Sequence, residues 1–304
     1  MSVEVLPTLP TGSPEWHEQR RRRIGGSEIA AVLGLSPFDS PFSLWHRKAG
    51  NVPPPDLDGE AVVHWGHRLE AVVRDEWMGL HRDSHYVRPE LRVTVANGVA
   101  IASPDAVVSR RGRGYGADRE VLEIKTAARA DQWADGPPVY YMAQVQWYMG
   151  ALGLPRAHFA VLIGGSDYRE HTVDFDEADY ELMLDAAERF VASLDAGDAP
   201  PIDGAYATYE TIRALHPDID RGEAVDIPDD LADELLFAKA EKDVVDRNYR
   251  QASSRVLDLM GAAQHACRPD GTRIAYRMAR GDSTPFLVAD KAALAPYRSA
   301  HHAA

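Results

Sequence analysis

Asp105, Glu123 and Lys125 lie in two short apolar runs, Val99 to Val108 and Glu120 to Thr126. Between them runs the Gly- and Arg-rich stretch Ser109 to Arg119. Two strand-like runs around a turn-rich segment predict a β-hairpin. Positions 105 and 123 are equidistant from Gly114. A loop centred there sets the two carboxylates opposite one another, with Cβ atoms roughly 5 Å apart. Directly opposed carboxylates repel, unless a hard divalent cation such as Mg²⁺ lies between them, bound through oxygen and keeping several waters. Lys125 shares the face of Glu123, two residues away on one strand. It would orient a cation-bound water or take its proton. The same spacing also fits a plain hairpin with a charged, solvated face, and spacing alone does not choose between the two.

Composition narrows the setting. The chain has 304 residues, of which 45% are hydrophobic, enough for a real core. A single cysteine, Cys267, excludes an intramolecular disulfide framework and fits a reducing compartment. With no secretory signal and no run of about 18 apolar residues, the chain reads as soluble and cytoplasmic. The net charge of −14 argues against a broad nucleic-acid-binding surface. Local charge still matters, and Arg20 to Arg23 is the densest basic run.

The elements that must hold these residues follow from periodicity. Ser13-Pro14 starts a helix, with Ser13 as N-cap, running from Glu15 to Arg23. Gly25-Gly26-Ser27 precedes a second short helix, with Ser27 as its N-cap and Gly34 as its stop. A glycine pair before a helix N-terminus lets backbone N–H groups approach an anion. Together with the arginines this is a candidate phosphate pocket, or else an ordinary capped helix. Residues 61–80 form a helix with Val62, Trp65, Leu69, Val72 or Val73, and Trp77 as its core stripe, and Gly66, Glu70 and Arg74 on another. Tyr86 to Val95 should pair beside the central hairpin. Val139 to Leu152 is a helix with Tyr141, Gln144 and Tyr148 on one face. Strands at 158–164 and 169–174 and a helix at 176–197 complete the pattern. After Ala199-Pro200-Pro201, residues 229–266 read as a long helix or helical hairpin, followed by a hairpin of 274–278 with 285–288.

Several of these stretches resemble a known family. Pro104-Asp105 with Glu123-Ile124-Lys125 is similar to the core motif of the PD-(D/E)xK nucleases. Trp16-His17 with Arg20, then Gly25-Gly26-Ser27-Glu28, and the continuation from Leu33 through Leu44-Trp45 to Lys48-Ala49-Gly50 resemble the YqaJ-type viral recombinases and phage lambda-type exonucleases. Trp65-Gly66 with Glu70, and Tyr140-Tyr141-Met142-Ala143-Gln144, match that family's later motifs. The resemblance covers about two thirds of the chain, to near Gly197.

It implies an α/β (α+β) restriction-endonuclease-like core with a central mixed sheet flanked by helices. This core would span residues 1–198, with a C-terminal extension over 199–304. It implies an Mg²⁺-dependent (Mn²⁺ substituting) 5′-to-3′ exonuclease on double-stranded DNA ends, which leaves 3′ single strands for an annealing protein. Asp105, Glu123 and the Ile124 carbonyl would hold metal, with Glu70 completing the site. Lys125 would serve the water, and Gln144 would bond a phosphate oxygen, the DNA backbone or the water. Arg20 and Ser27 would hold the DNA 5′ end, with Glu28 and Tyr141 lining the pocket. A trimeric ring is the family's assembly. Ala106 stands where the family often has Gly. The alternatives are a repair or defence nuclease on the same fold, and a non-catalytic DNA-end binding protein. One cysteine rules out an iron–sulfur variant, which needs four thiolates.

Overall fold

The computed structural model describes residues 4–7, 9–10, 12–55, 59–87, 94–110 and 118–301. The hairpin loop at 111–117, part of the 51–59 loop and residues 88–93 lie outside the described residues. Two compact units divide the chain, Met1–Ile219 and Asp220–Ala304.

In chain order the first unit contains β1 (Glu4–Leu6), α1 (Pro14–Arg20), β2 (Ile24–Gly25), α2 (Gly26–Val32), α3 (Pro41–Ala49) and α4 (Ala61–Leu80). Then come β3 (His85–Val87), β4 (Thr94–Asn97), β5 (Ala100–Ala102), β6 (Ala106–Arg110) and β7 (Arg119–Ala127). A 3₁₀ turn (Ala130–Trp133) leads to α5 (Val139–Leu152), β8 (Arg156–Ile163), β9 (Asp167–Asp174), α6 (Glu177–Ala196) and α7 (Tyr206–Leu215). The second unit contains α8 (Asp229–Met260), β10 (His265–Cys267), β11 (Arg273–Met278), β12 (Phe286–Ala289) and α9 (Lys291–His301).

The central sheet has five strands in the order β3-β6-β7-β8-β9, parallel between β7 and β8 and antiparallel elsewhere. This is the mixed sheet expected. The hairpin register is also as expected, since Ala106 faces Leu122 and Ser109 faces Arg119, each pair centred on Gly114. The first run differs from a single strand. β5 belongs to a second sheet, β1-β4-β5-β2, and only β6 joins the hairpin. Pro104, which has no N–H to give a ladder, falls in the gap between them. Thr94 to Asn97 likewise joins the second sheet rather than the hairpin.

Period-two alternation gives the central sheet two apolar faces. Val107, Val121, Phe159 and Val161 face α5, whose Val145, Trp147 and Met149 are fully buried. Ala106, Val108, Leu122, Ile124 and Ala160 face α4 through Val73 and Trp77. Each large side chain so buried contributes roughly 1.5–3 kcal/mol. The expected α4 stripe holds only in part: Val73 and Trp77 are buried, but Val62 and Trp65 are exposed. The second half of α4 packs on the sheet; its first turns lie beside the β7 end, where Val62, Trp65 and Leu69 line an open apolar cleft with Thr126 and Leu162.

α1 ends at Arg20 rather than Arg23, because the chain turns there into β2. Ile24 N–H donates to Val99 O at 2.8 Å. Lys48 Nζ donates to both Arg20 O (2.9 Å) and Arg23 O (2.8 Å). α7 lies beyond position 198 yet packs on α3 within the first unit. The buried Thr208 and Thr211 hydroxyls bond Ser40 Oγ (2.6 Å) and Ser43 Oγ (2.8 Å). In the second unit α8 is one unbroken helix of 32 residues stopping at Gly261, which has positive φ. β10 adds a third strand to the expected hairpin, placing Cys267 in an exposed position.

Candidate active site

β6 begins at Ala106, so the ladder ends there and Asp105 stands at its open end. Its carboxylate takes the place of a backbone acceptor. Ile124 N–H donates to Asp105 Oδ2 at 2.7 Å. A strand residue turns its N–H and C=O to the same edge, so the Ile124 carbonyl is presented on the side of Asp105. Glu123, on the α5 face of β7, is 1% exposed. Its Oε1 accepts from Lys125 Nζ at 2.5 Å and from Gln144 Nε2 at 2.7 Å. Its Oε2 is buried and accepts no hydrogen bond from any described residue.

The charges report the crowding. Burial and the Glu123 carboxylate, opposed by Lys125, push Asp105 up to about 8, and Glu70 adds to the rise. Glu70 of α4 is therefore close enough to share the field of this site. Burial alone would depress Lys125, but Glu123 and Asp105 outweigh it and hold the ammonium well above its ordinary value. Burial, with help from Glu123, also keeps the Tyr148 phenol protonated.

α5 supplies the third wall. Its i, i+3, i+7 face carries Tyr141, Gln144 and Tyr148, with Tyr141 against Lys125 and Gln144 against Glu123 and Tyr148. The Lys125 ammonium sits over the Tyr141 ring, 4.7 Å from its centroid. Gln144 is buried and donates both to Glu123 and to the Tyr148 hydroxyl (3.1 Å). Its amide N–H₂ thus braces the Glu123 carboxylate.

Arg20, Ser27 and Glu28 form a neighbouring group. Arg20 is 8% exposed, stacks over the Trp16 ring at 4.3 Å, and keeps a buried Nε that bonds no described residue. Ser27 is exposed and is not the cap of α2. Gly25 holds that position, and Glu28 Oε2 reaches back to accept its N–H at 2.7 Å. Burial would raise Glu28, but Lys48 at 2.9 Å and then Arg20 overcome it and hold the carboxyl below its usual value. The two groups meet through Gly26. A Cβ there would collide with the Tyr148 ring, so only glycine lets α2 approach α5 this closely.

Sequence reasoning missed Lys48 and Tyr148 as parts of the site. Tyr148 had a signal, being one helical turn after Gln144. Lys48 had only its place in the stretch of resemblance, because its three acceptors come from a segment about 20 to 30 residues earlier.

A buried carboxylate with one oxygen unsatisfied is costly, and a second carboxylate beside it makes it more so. A divalent cation resolves both. Asp105, Glu123 and the Ile124 carbonyl are hard oxygen donors of the kind Mg²⁺ or Mn²⁺ takes, so the residues fit such an ion. Fold and side chains together define an α+β protein whose mixed central sheet carries a carboxylate site suited to a divalent cation.

Residues 15–154 match the YqaJ-like viral recombinase domain. The chain is 32% identical to the YqaJ protein of Bacillus subtilis (strain 168) over 225 residues, which are 70% of this chain and 66% of that protein. A shorter stretch of 78 residues is 40% identical to protein D345L of African swine fever virus (strain Badajoz 1971 Vero-adapted), covering 24% of this chain and 22% of that one. The chain thus spans just under two thirds of the first relative and under a quarter of the second. Among solved structures, an alkaline exonuclease from Laribacter hongkongensis aligns with a TM-score of 0.45 and 18% identity, covering 68% of this chain and 100% of that one.

Proposed function

We propose that the chain is a divalent-metal-dependent deoxyribonuclease of recombination, acting as a 5′-to-3′ exonuclease on duplex ends and leaving 3′ single strands. The observation that carries this reading is Glu123, buried beside Asp105 with one oxygen unsatisfied and the other braced by Lys125 and Gln144. Asp105, Glu123 and the Ile124 carbonyl hold the metal, with Glu70 acting from α4. When bound, Mg²⁺ or Mn²⁺ supplies Lewis acidity to the phosphodiester and acidifies a water.

The chain's own residues do the rest. Gln144 and the buried Tyr148 fix the orientation of Glu123. Lys125 is held as an ammonium, so it acts as a charged donor that orients the nucleophilic water and steadies negative charge on phosphate. That favours the orienting role over proton removal. Arg20, stacked on Trp16 and within the field of Glu28, meets the DNA 5′ phosphate in this reading. An annealing protein for the 3′ strand, and assembly into a ring, are further parts of the proposal. They are supported only by the match of residues 15–154 to a viral recombinase domain.

The test is digestion of an end-labelled, 5′-phosphorylated linear duplex alongside a closed circle, with Mg²⁺ and with chelator. Loss of label from the 5′ end of the linear duplex alone, abolished by chelator, is the expected result. Cutting of the circle, or equal cutting in chelator, overturns it.

A further inference from the structure

A second constellation lies on the other face of the central sheet. Glu120 precedes Glu123 by three residues on β7 and therefore points the opposite way, toward α4. There it meets His85 of β3 and His158 of β8. Exposures are 3% for Glu120, 6% for His85 and 9% for His158. Trp77 of α4, fully buried, closes the pocket, with its ring 5.3 Å from His85 and 5.4 Å from His158, centroid to centroid. Both histidines aim Nε2 at the same oxygen, Glu120 Oε2, at 3.1 Å for His85 and 2.7 Å for His158. The other oxygen, Oε1, faces Arg110 Nε at 3.4 Å and Arg156 Nη1 at 3.9 Å.

Ser84 Oγ lies 2.9 Å from His85 Nδ1, so the nitrogen of that ring turned away from Glu120 has a hydroxyl partner. A neutral imidazole carries one N–H, and the tautomer with that N–H on Nδ1 turns the Nε2 lone pair toward Glu120 Oε2, an arrangement that accommodates a cation between them. His158 Nδ1 is oriented in the same manner by Thr172 Oγ1 at 3.2 Å. Metal-binding histidines donate their far ring N–H to an outer acceptor, and a hydroxyl oxygen stands in that place on each of these rings.

We infer that His85, Glu120 and His158 form a second metal site, distinct from the carboxylate site, which takes a borderline divalent cation of the Zn²⁺ class. Two imidazole nitrogens and one carboxylate oxygen are a Zn²⁺ donor set, whereas Mg²⁺ prefers oxygen alone. The three donor atoms lie within 4.8 Å of one another. Ligands at about 2.1 Å from a tetrahedral ion are about 3.4 Å apart, so the two nitrogen–oxygen pairs need open only by about 0.3 and 0.7 Å. The site is structural. It ties β3, β7 and β8 together across β6 behind Trp77, where DNA has no access. Nothing in it depends on the proposed nuclease activity.

The experiment is elemental analysis of the full-length, untagged chain after exposure to Zn²⁺ and exhaustive dialysis against excess Mg²⁺. About one Zn²⁺ per chain should remain. It should persist in a variant carrying Asp105→Asn with Glu123→Gln, and disappear in Glu120→Gln and in His85→Ala with His158→Ala. Substitution by Co²⁺ should give the visible absorption of a tetrahedral nitrogen and oxygen site. Wild-type chain that keeps no Zn²⁺ and gives no such spectrum overturns the inference and leaves an imidazolium–carboxylate cluster. So does full Zn²⁺ retention in the double histidine variant. The wild-type measurements decide the matter even where a variant fails to fold.

Discussion

Lys125 and Asp105 are the side chains on which the proposed chemistry turns. Lys125→Ala removes the only ammonium bonded to Glu123 among the described residues. Loss of one preorganised donor of this kind costs about 10²-fold or more in rate. Single-turnover cleavage should fall accordingly, while DNA binding measured in Ca²⁺ stays within about twofold. Normal cleavage by that variant would remove Lys125 from the mechanism. Asp105 gives a pH signature. Its carboxyl is raised to about 8, so a bound proton favours the folded state, and that stability is lost as pH climbs from about 4 through about 8. A metal ion substitutes for the proton. The rise in Tm caused by Mn²⁺ should therefore be larger at about pH 8 than at about pH 6, and the difference should vanish in Asp105→Asn. The motif residues were legible because they lie close together in sequence. What Gln144 does was not, since a side-chain amide that braces Glu123 and one that binds phosphate look the same in one dimension.

At the level of elements, α2, α5 and β7 are locked by close approach more than by charge. Gly26 touches the Tyr148 ring, Tyr148 holds Gln144, and Gln144 holds Glu123. Gly26→Ala should cost about 1–3 kcal/mol by overpacking, measured by urea unfolding. It should also lower cleavage beyond what the stability loss explains, because the displacement is passed to Glu123. Unchanged activity would mean that the ring yields without moving the amide. α4, α5 and the register of β6 with β7 could all be read from periodicity and turn chemistry. The split of the Val99 to Val108 run between two sheets could not, because Pro104 marks a break without saying where the chain goes next. The exposed Val62 and Trp65 were misread for a related reason. Helical period identifies an apolar stripe but not how much of it a sheet of limited width will cover.

Across the whole molecule, a short exposed connection joins the two units. Residues 216–230 are all exposed. Limited proteolysis should therefore cut first within this stretch, and mass spectrometry should recover fragments ending or starting there. Early cuts inside α8 would show that the long helix is less stable than its unbroken form suggests. The Pro-Pro signal at 200–201 placed the division too early, because the Ser40–Thr208 and Ser43–Thr211 bonds that hold α7 join residues 168 apart in sequence. In the first unit the central sheet is a shared wall, with Glu123 on one side and Glu120 on the other. One inserted residue between them would turn both carboxylates to the same side and empty one pocket while crowding its opposite. Two inserted residues would restore each to its own side, displaced by about 7 Å along the strand. Strand β7 can thus tolerate changes of side chain far more readily than any change of length.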